Sequence, residues 1–188
     1  MSPPLIETAR LRLRPLTPGD VDDLHRLWLE PGVRRHLWDG EMVTRERVVS
    51  AVEESAATFE SRGHGLWAVT PAAGEALIGF CGFWFFRELP QLELLYGVAP
   101  AHWNRGFATE AARAVLKYGF EELAFERIEA STDAANAASA RVLEKAGMSF
   151  RKRELTDGLD TLYYAVTREA FRRRGVRFSR QSSVETKN

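Results

Sequence analysis

Apolar and polar residues alternate through Leu11-Arg12-Leu13-Arg14, the period-two mark of a strand with one buried face. Thr17-Pro18-Gly19-Asp20 then opens a helix: Thr17 caps it, Pro18 suits its first turn, and Asp20 stands three residues after the cap. That helix runs to about Leu29, before Pro31-Gly32, and a second, capped by Thr44, runs through Ser61 to a stop at Gly63. Leu66 to Thr70 reads as a strand and Pro71 to Glu75 as a turn. The apolar run from Ala76 to Phe86 reads as a long buried strand. Glu88 to Gln91, with Pro90, turns the chain into a strand from Leu92 to Val98, so the two strands form a hairpin.

From about Gly106 the spacing becomes helical. Glu110, Arg113, Lys117 and Glu121 fall on one solvent stripe and leave Ala108, Ala112, Leu116, Phe120 and Leu123 for the interior. Ile128 to Thr132 is a strand, and Asn136 to Ala146 a helix stopped by a left-handed Gly147, with Met148 as its apolar contact. Phe150 to Leu155 and Thr161 to Thr167 form a last hairpin through Asp157-Gly158. One strand, two helices, three antiparallel strands, then helix, strand, helix and two strands describe a mixed α/β (α+β) sheet covered by helices. Beyond Phe171 apolar anchors run out, so residues 1–171 are expected as one domain and 172–188 as a disordered, Arg-rich tail.

Lysine plus arginine balances aspartate plus glutamate at 26 each, which argues against a dedicated nucleic-acid binder or an anionic-membrane binder. One cysteine, Cys81, rules out an internal disulfide, and no Cys/His spacing marks a zinc site. Met1-Ser2-Pro3-Pro4 lacks the basic and apolar regions of a secretory signal, so a reducing cytoplasm is the expected compartment.

The chemistry concentrates between Leu92 and Leu123. A strand, a tight small-residue loop and a helix N-terminus present backbone N–H groups with no intrahelical partner, reinforced by the positive end of the helix dipole. Such an end grips a phosphate-bearing ligand, and the turn belongs at the C-terminal end of a central strand. Gly97 and Pro100 mark disturbed pairing at the end of that strand.

Three segments carry a family resemblance: Glu7-Thr8-Ala9-Arg10-Leu11-Arg12-Leu13-Arg14, Trp103-Asn104-Arg105-Gly106-Phe107-Ala108-Thr109-Glu110-Ala111, and Asn136 through Met148. In order and spacing the chain resembles the GNAT superfamily of N-acetyltransferases, in particular its RimJ/RimL-type branch, from about Glu7 to Arg168. It departs at Asn104, where the branch commonly has Gly, and at Met148, where Phe is frequent; Trp103 replaces the superfamily's Gln or Arg but suits the branch.

The resemblance implies a mostly antiparallel sheet of about seven strands with about four helices. It also implies acetyl transfer from acetyl-CoA to an amine. By resemblance the backbone of Trp103, Asn104, Arg105, Gly106, Phe107, Ala108 and Thr109 wraps the pyrophosphate, and Asn136 contacts CoA. Val98 supplies the N–H that meets the thioester oxygen, and Ser139 hydrogen-bonds the departing thiolate. Glu93 matches an acidic position common in the branch and accepts the amine proton; Tyr96 is a second candidate proton donor. An α-amine (reference pKa about 7.7–8.0) needs roughly 1 kcal/mol to deprotonate at pH 7, against nearly 5 for lysine, so one modest base suits an α-amine.

The acceptor pocket of the branch implicates Pro31 to Gly40, with His36 and Trp38 as an aromatic wall, Asp39 attracting a cationic amine and Trp84 facing in. Alternatives stay open. Asn136 also reads as a plain N-cap, His36 as a surface residue, Glu93 as an exposed outer-face residue and Tyr96 as packing. The acceptor is a peptide N-terminus or a small-molecule amine. A non-catalytic acyl-CoA sensor is the alternative, and contact with RNA or a ribosome through Arg172, Arg173, Arg174, Arg177 and Arg180 a third reading. Members of the branch are often dimers, and no metal is expected.

Overall fold

In the computed structural model, which describes residues 4–38, 40–85, 92–156 and 158–173, one eight-stranded sheet organises the chain. Its strands are β1 (Ile6–Glu7), β2 (Leu11–Pro15), β3 (Leu66–Pro71), β4 (Gly79–Phe85), β5 (Leu92–Val98), β6 (Arg127–Asp133), β7 (Ser149–Thr156) and β8 (Leu159–Thr167), in spatial order β1-β2-β3-β4-β5-β6-β8-β7. Six helices cover it: α1 (Val21–Leu29), α2 (Pro31–Leu37), α3 (Arg45–Arg62), α4 (Phe107–Glu121), α5 (Ala137–Ala146) and α6 (Arg168–Arg173).

Every adjacent strand pair is antiparallel except β5–β6, which is parallel. The sheet is buried on both faces. In β3, Trp67 and Val69 join a core with Phe107, Val115, Leu116 and Phe120 of α4 and Leu143 of α5; Leu66 and Ala68 join another with Leu24, Trp28, Val48 and Val52 of α1 and α3. Two covered faces explain why β3 and β4 read as apolar runs rather than alternations.

Local signals place the ends. Asp20 Oδ2 accepts from the Thr17 amide and hydroxyl, both at 2.8 Å, and Arg14 clamps the same carboxylate from 2.6 and 2.7 Å. Thr44 Oγ1 accepts from the Arg47 amide, and Gly63 stops α3 at φ 76°. Gly147 (φ 104°) stops α5 while the buried Met148 returns its amide to Leu143 O at 3.0 Å, the expected left-handed cap.

The expectations differ from the fold in several places. The connection Pro31 to Gly40 contains a helix, α2, because Pro31 occupies a first-turn position that needs no N–H. Two-residue β1 and six-residue α6 are too short for a periodic signal. Arg172 and Arg173, expected in the tail, close α6, whose Phe171 is buried against Phe120 at 5.1 Å. The Ala76 to Phe86 strand begins only at Gly79, and Phe86 lies outside the described residues, as do Glu88 to Gln91, Asp39, Asp157 and the tail from Arg174. Glu110 leaves its expected solvent stripe: it accepts from Thr8 Oγ1 (2.7 Å), Arg10 N (3.0 Å) and Arg10 Nε (2.7 Å), tying the N-terminal segment to α4.

Candidate active site

The parallel β5–β6 pair holds one bridge, Glu93↔Glu129, and then opens. On its other side β5 stays in unbroken register with β4 from Phe85↔Leu92 to Gly79↔Val98. The Ala99 amide donates to Ile78 O at 2.8 Å across that ladder, so strand alternation turns the amides of Val98 and Tyr96 the opposite way, into the seam. Gly97 therefore marks no bulge. A Cβ there would come 2.5 Å from Phe80 Cε1, so glycine admits the Phe80 ring, and the pairing is disturbed on the β6 side instead.

Beyond Val98 a short turn, Pro100–His102, leads to Trp103, whose indole N–H donates to Val98 O at 2.6 Å. Asn104 (φ 60°) and Gly106 (φ 78°) are both left-handed, and α4 starts at Phe107. No side chain caps α4 at its N-terminus, and the first α4 amide bonded back along the chain is Glu110 N to Gly106 O at 3.0 Å. The amides of Phe107, Ala108 and Thr109 thus point out of the helix end without intrahelical acceptors.

The guanidinium groups of Arg10 (4.8 Å) and Arg105 (4.9 Å) both stack on the Phe107 ring, and Arg10 Nη1 also donates to Arg105 O at 2.9 Å. Arg10, Gly106, Thr109, Glu110, Arg113 and Lys145 line an adjoining cleft. An uncapped helix end, a left-handed glycine and four basic side chains fit a diphosphate-bearing donor such as a coenzyme A thioester.

On the α4–α5 face of the seam, Tyr96 Oη shares a 2.7 Å hydrogen bond with Ser139 Oγ and donates to Ser139 O at 3.0 Å. Burial pushes the Tyr96 phenol well above its usual value, against the opposing pull of the Ser139 hydrogen bond, so it stays a neutral donor. Asn136 accepts from the Ser139 amide at 3.1 Å and caps α5, as its plainer reading expects.

On the opposite face Glu93 is buried, 7% exposed, rather than an outer-face residue, and Ser131 Oγ donates to its Oε2 at 2.6 Å. Trp84 stands across from it in the β4–β5 register, half-buried against the α1–α3 core. His36 lies 2.7 Å from Asp133 through Nδ1 and Oδ2. Trp38 does not join His36 in a wall: α2 ends at Leu37, the chain turns, and the Trp38 ring packs 5.0 Å from Trp28.

Arg10, Arg113, Ser131, Asp133 and Lys145, which line or support the candidate site, were not singled out in the sequence. For Ser131 and Asp133 a signal existed. Ile128 and Ala130 are buried while Glu129, Ser131 and Asp133 alternate with them, which puts the polar set on the face opposite the α4–α5 core.

Fold and seam together define an acyl-CoA-type transferase. The family of Acetyltransferase (GNAT) domains matches residues 10–149, and the chain belongs to it. It is 32% identical over 145 residues to the uncharacterized N-acetyltransferase YoaA of Bacillus subtilis, spanning 77% of this chain and 82% of that one. The crystal structure of a GNAT-family acetyltransferase from Bacillus anthracis superposes with a TM-score of 0.75 at 26% identity, covering 88% of this chain and 99% of that one. RimL, the ribosomal L7/L12 alpha-N-protein acetyltransferase, solved in complex with coenzyme A, shares the fold at 17% identity (TM-score 0.74, covering 89% and 99%). The chain is a GNAT acetyltransferase, a family that uses acetyl-CoA, and among the described residues no helix is long and apolar enough to cross a membrane.

Proposed function

We propose that the chain is an acetyl-CoA-dependent N-acetyltransferase of the RimJ/RimL type that transfers acetyl to a primary amine by direct attack on the thioester. The acceptor is a protein N-terminal α-amine or a small-molecule amine. One observation carries the reading: the β5–β6 seam opens beside the Val98 amide, and the uncapped α4 end stands at the same mouth.

Acetyl-CoA supplies an activated acyl group. The chain's residues do the rest. The amides of Phe107, Ala108 and Thr109, with Arg10 and Arg105 held on Phe107, bind the diphosphate. Trp103 fixes the strand end through Val98 O, which aims the Val98 amide at the oxygen that gains negative charge in the transition state. The neutral Tyr96 phenol, coupled to Ser139, gives a proton to the leaving sulfur. Glu93, which accepts from Ser131, lies on the acceptor side of the seam.

A sensor without activity calls for a plugged acceptor face. Trp28, Trp38 and Phe80 instead pack into one another within the core, which favours the enzyme. The test is a panel of spermidine, kanamycin, tyramine and a peptide with a free N-terminal serine, each incubated with acetyl-CoA. Amine-dependent CoA release with an acetylated product by mass spectrometry supports the reading. Tight CoA binding with no release across the panel and a wider amine set supports the sensor.

A further inference from the structure

Helix α2 touches residues on both sides of the open seam. Gly32 and His36 are four residues apart on it, hence on one face and about 6 Å apart along the axis. At Gly32 that face meets the β5 side: a Cβ there would lie 2.4 Å from Trp103 Cη2, and the same indole holds Val98 O. At His36 it meets the β6 side, where the imidazole Nδ1 sits 2.7 Å from Asp133 Oδ2. Four residues beyond the Glu93↔Glu129 bridge, Asp133 on β6 and Gly97 on β5 both lie past the point where the two strands part. One turn of helix therefore separates the Asp133 contact of His36 from the Gly32 contact with Trp103, the residue that holds Val98 O.

The pair is suited to proton transfer. The two side chains are 22% and 23% exposed, open enough to meet an acceptor and sheltered enough to keep one geometry. A carboxylate at Nδ1 takes a donated N–H there, which leaves Nε2 as the ring nitrogen turned away from Asp133, an assignment from the partner. Glu93, by contrast, lies five residues before Val98, roughly 16 Å down the strand, and is engaged by Ser131. Charged or titratable residues on the elements around His36 are Arg127, Glu129 and Asp133 of β6, Glu93 and Tyr96 of β5, Asp160, Tyr163 and Tyr164 of β8, and Arg34 and Arg35 of α2.

We propose that His36 Nε2, oriented by Asp133, is the base that takes the proton from the acceptor ammonium. This rests on the acetyltransferase reading above. The ammonium gives one proton to Nε2 and the freed lone pair forms the new C–N bond. The C–S bond breaks, the departing sulfur takes the Tyr96 proton, the second nitrogen proton restores the phenol, and His36 returns its own to solvent. The sequence expectation that Glu93 is the base moves to His36.

The test compares His36→Asn, His36→Gln and Asp133→Asn with the wild-type chain, using acetyl-CoA, the amine acetylated from the panel, and hydroxylamine, which is already unprotonated at neutral pH. Expected are unchanged CoA affinity and melting temperature for both His36 variants, with kcat for the protonated amine reduced about 10²–10⁴-fold. Hydroxylamine turnover should fall far less, and the acidic limb of the kcat/KM profile should vanish. Asp133→Asn should reduce kcat and move that limb. Equal losses for both amines, or a wild-type rate and profile in His36→Asn, overturn the proposal. If no amine is acetylated, nitrogen NMR of the imidazoles decides: His36 Nε2 must shift when acetyl-CoA binds, and an unmoved resonance overturns it. A wild-type chain that fails to bind CoA refutes the acetyltransferase reading itself.

Discussion

Gly32→Ala isolates the seat of α2 from the chemistry it serves. The new Cβ would lie 2.4 Å from Trp103 Cη2 and 3.2 Å from Cζ2, whereas carbons rest at about 3.5–4.0 Å, so ring and helix must part by roughly 1–1.5 Å. Trp103 is 46% exposed and can swing outward, which stretches its 2.6 Å bond to Val98 O to about 3.6 Å, no longer a hydrogen bond. Losing that bond removes about 0.5–1.5 kcal/mol, while replacing a helical glycine returns up to ~1 kcal/mol. Net stability should thus fall by no more than about 1.5 kcal/mol, or roughly 3–6 °C in Tm. Activity should suffer far more. An ångström of displacement at Val98 or at the His36–Asp133 contact costs on the order of 100-fold in kcat. Differential scanning fluorimetry, CoA calorimetry and initial rates measure the three quantities. A wild-type kcat at wild-type Tm would refute the claim that α2 and Trp103 jointly set the seam.

Gly106→Val puts a β-branched side chain at φ 78°, a strain of about 1–2 kcal/mol that turns the loop amides aside; CoA affinity should drop at least tenfold, and an unaltered Kd would remove the loop from donor binding. Tyr96→Phe deletes the phenol from Ser139 and should lower stability by about 1–3 kcal/mol together with kcat; chemical denaturation and rates that both match wild type would dismiss the pair. Burial, followed by the charge of Arg62, pulls the His64 imidazole down to about 4 from an ordinary 6.5. The unfolded chain therefore binds this proton first, so stability is complete above pH 6.5 and declines as pH falls toward 4. Urea midpoints should fall from pH 7 to pH 5, and His64→Phe should flatten that decline; parallel slopes would contradict it.

Elements longer than about seven residues were legible because each carries its own period and caps: Thr44 and Gly63 bound α3, and Asn136 and Gly147 bound α5. The loop from Trp103 to Thr109 was equally legible, since a helix start needs only local chain. What could not be read was tertiary. Gly97 looks like a bulge residue until Phe80 from the neighbouring strand is placed against it. Glu110 looks solvated until Thr8 and Arg10, a hundred positions earlier, arrive on it. The His36–Asp133 contact spans 97 positions, and no local pattern announces it. Trp38 misled for the same reason: its fate depended on Trp28, one helix away.

Cys81, the single cysteine of the sequence, sits in β4 between Trp67 and Tyr96 of the flanking strands with no exposed surface, and burial drives its thiol far from ionisation. A disulfide-exchange chromogen added to the native protein would therefore report only the sulfur liberated by turnover. A cysteine installed at an open position such as Leu155, 73% exposed on β7, would in turn accept a fluorophore alone, giving a single-label chain without first removing the native residue.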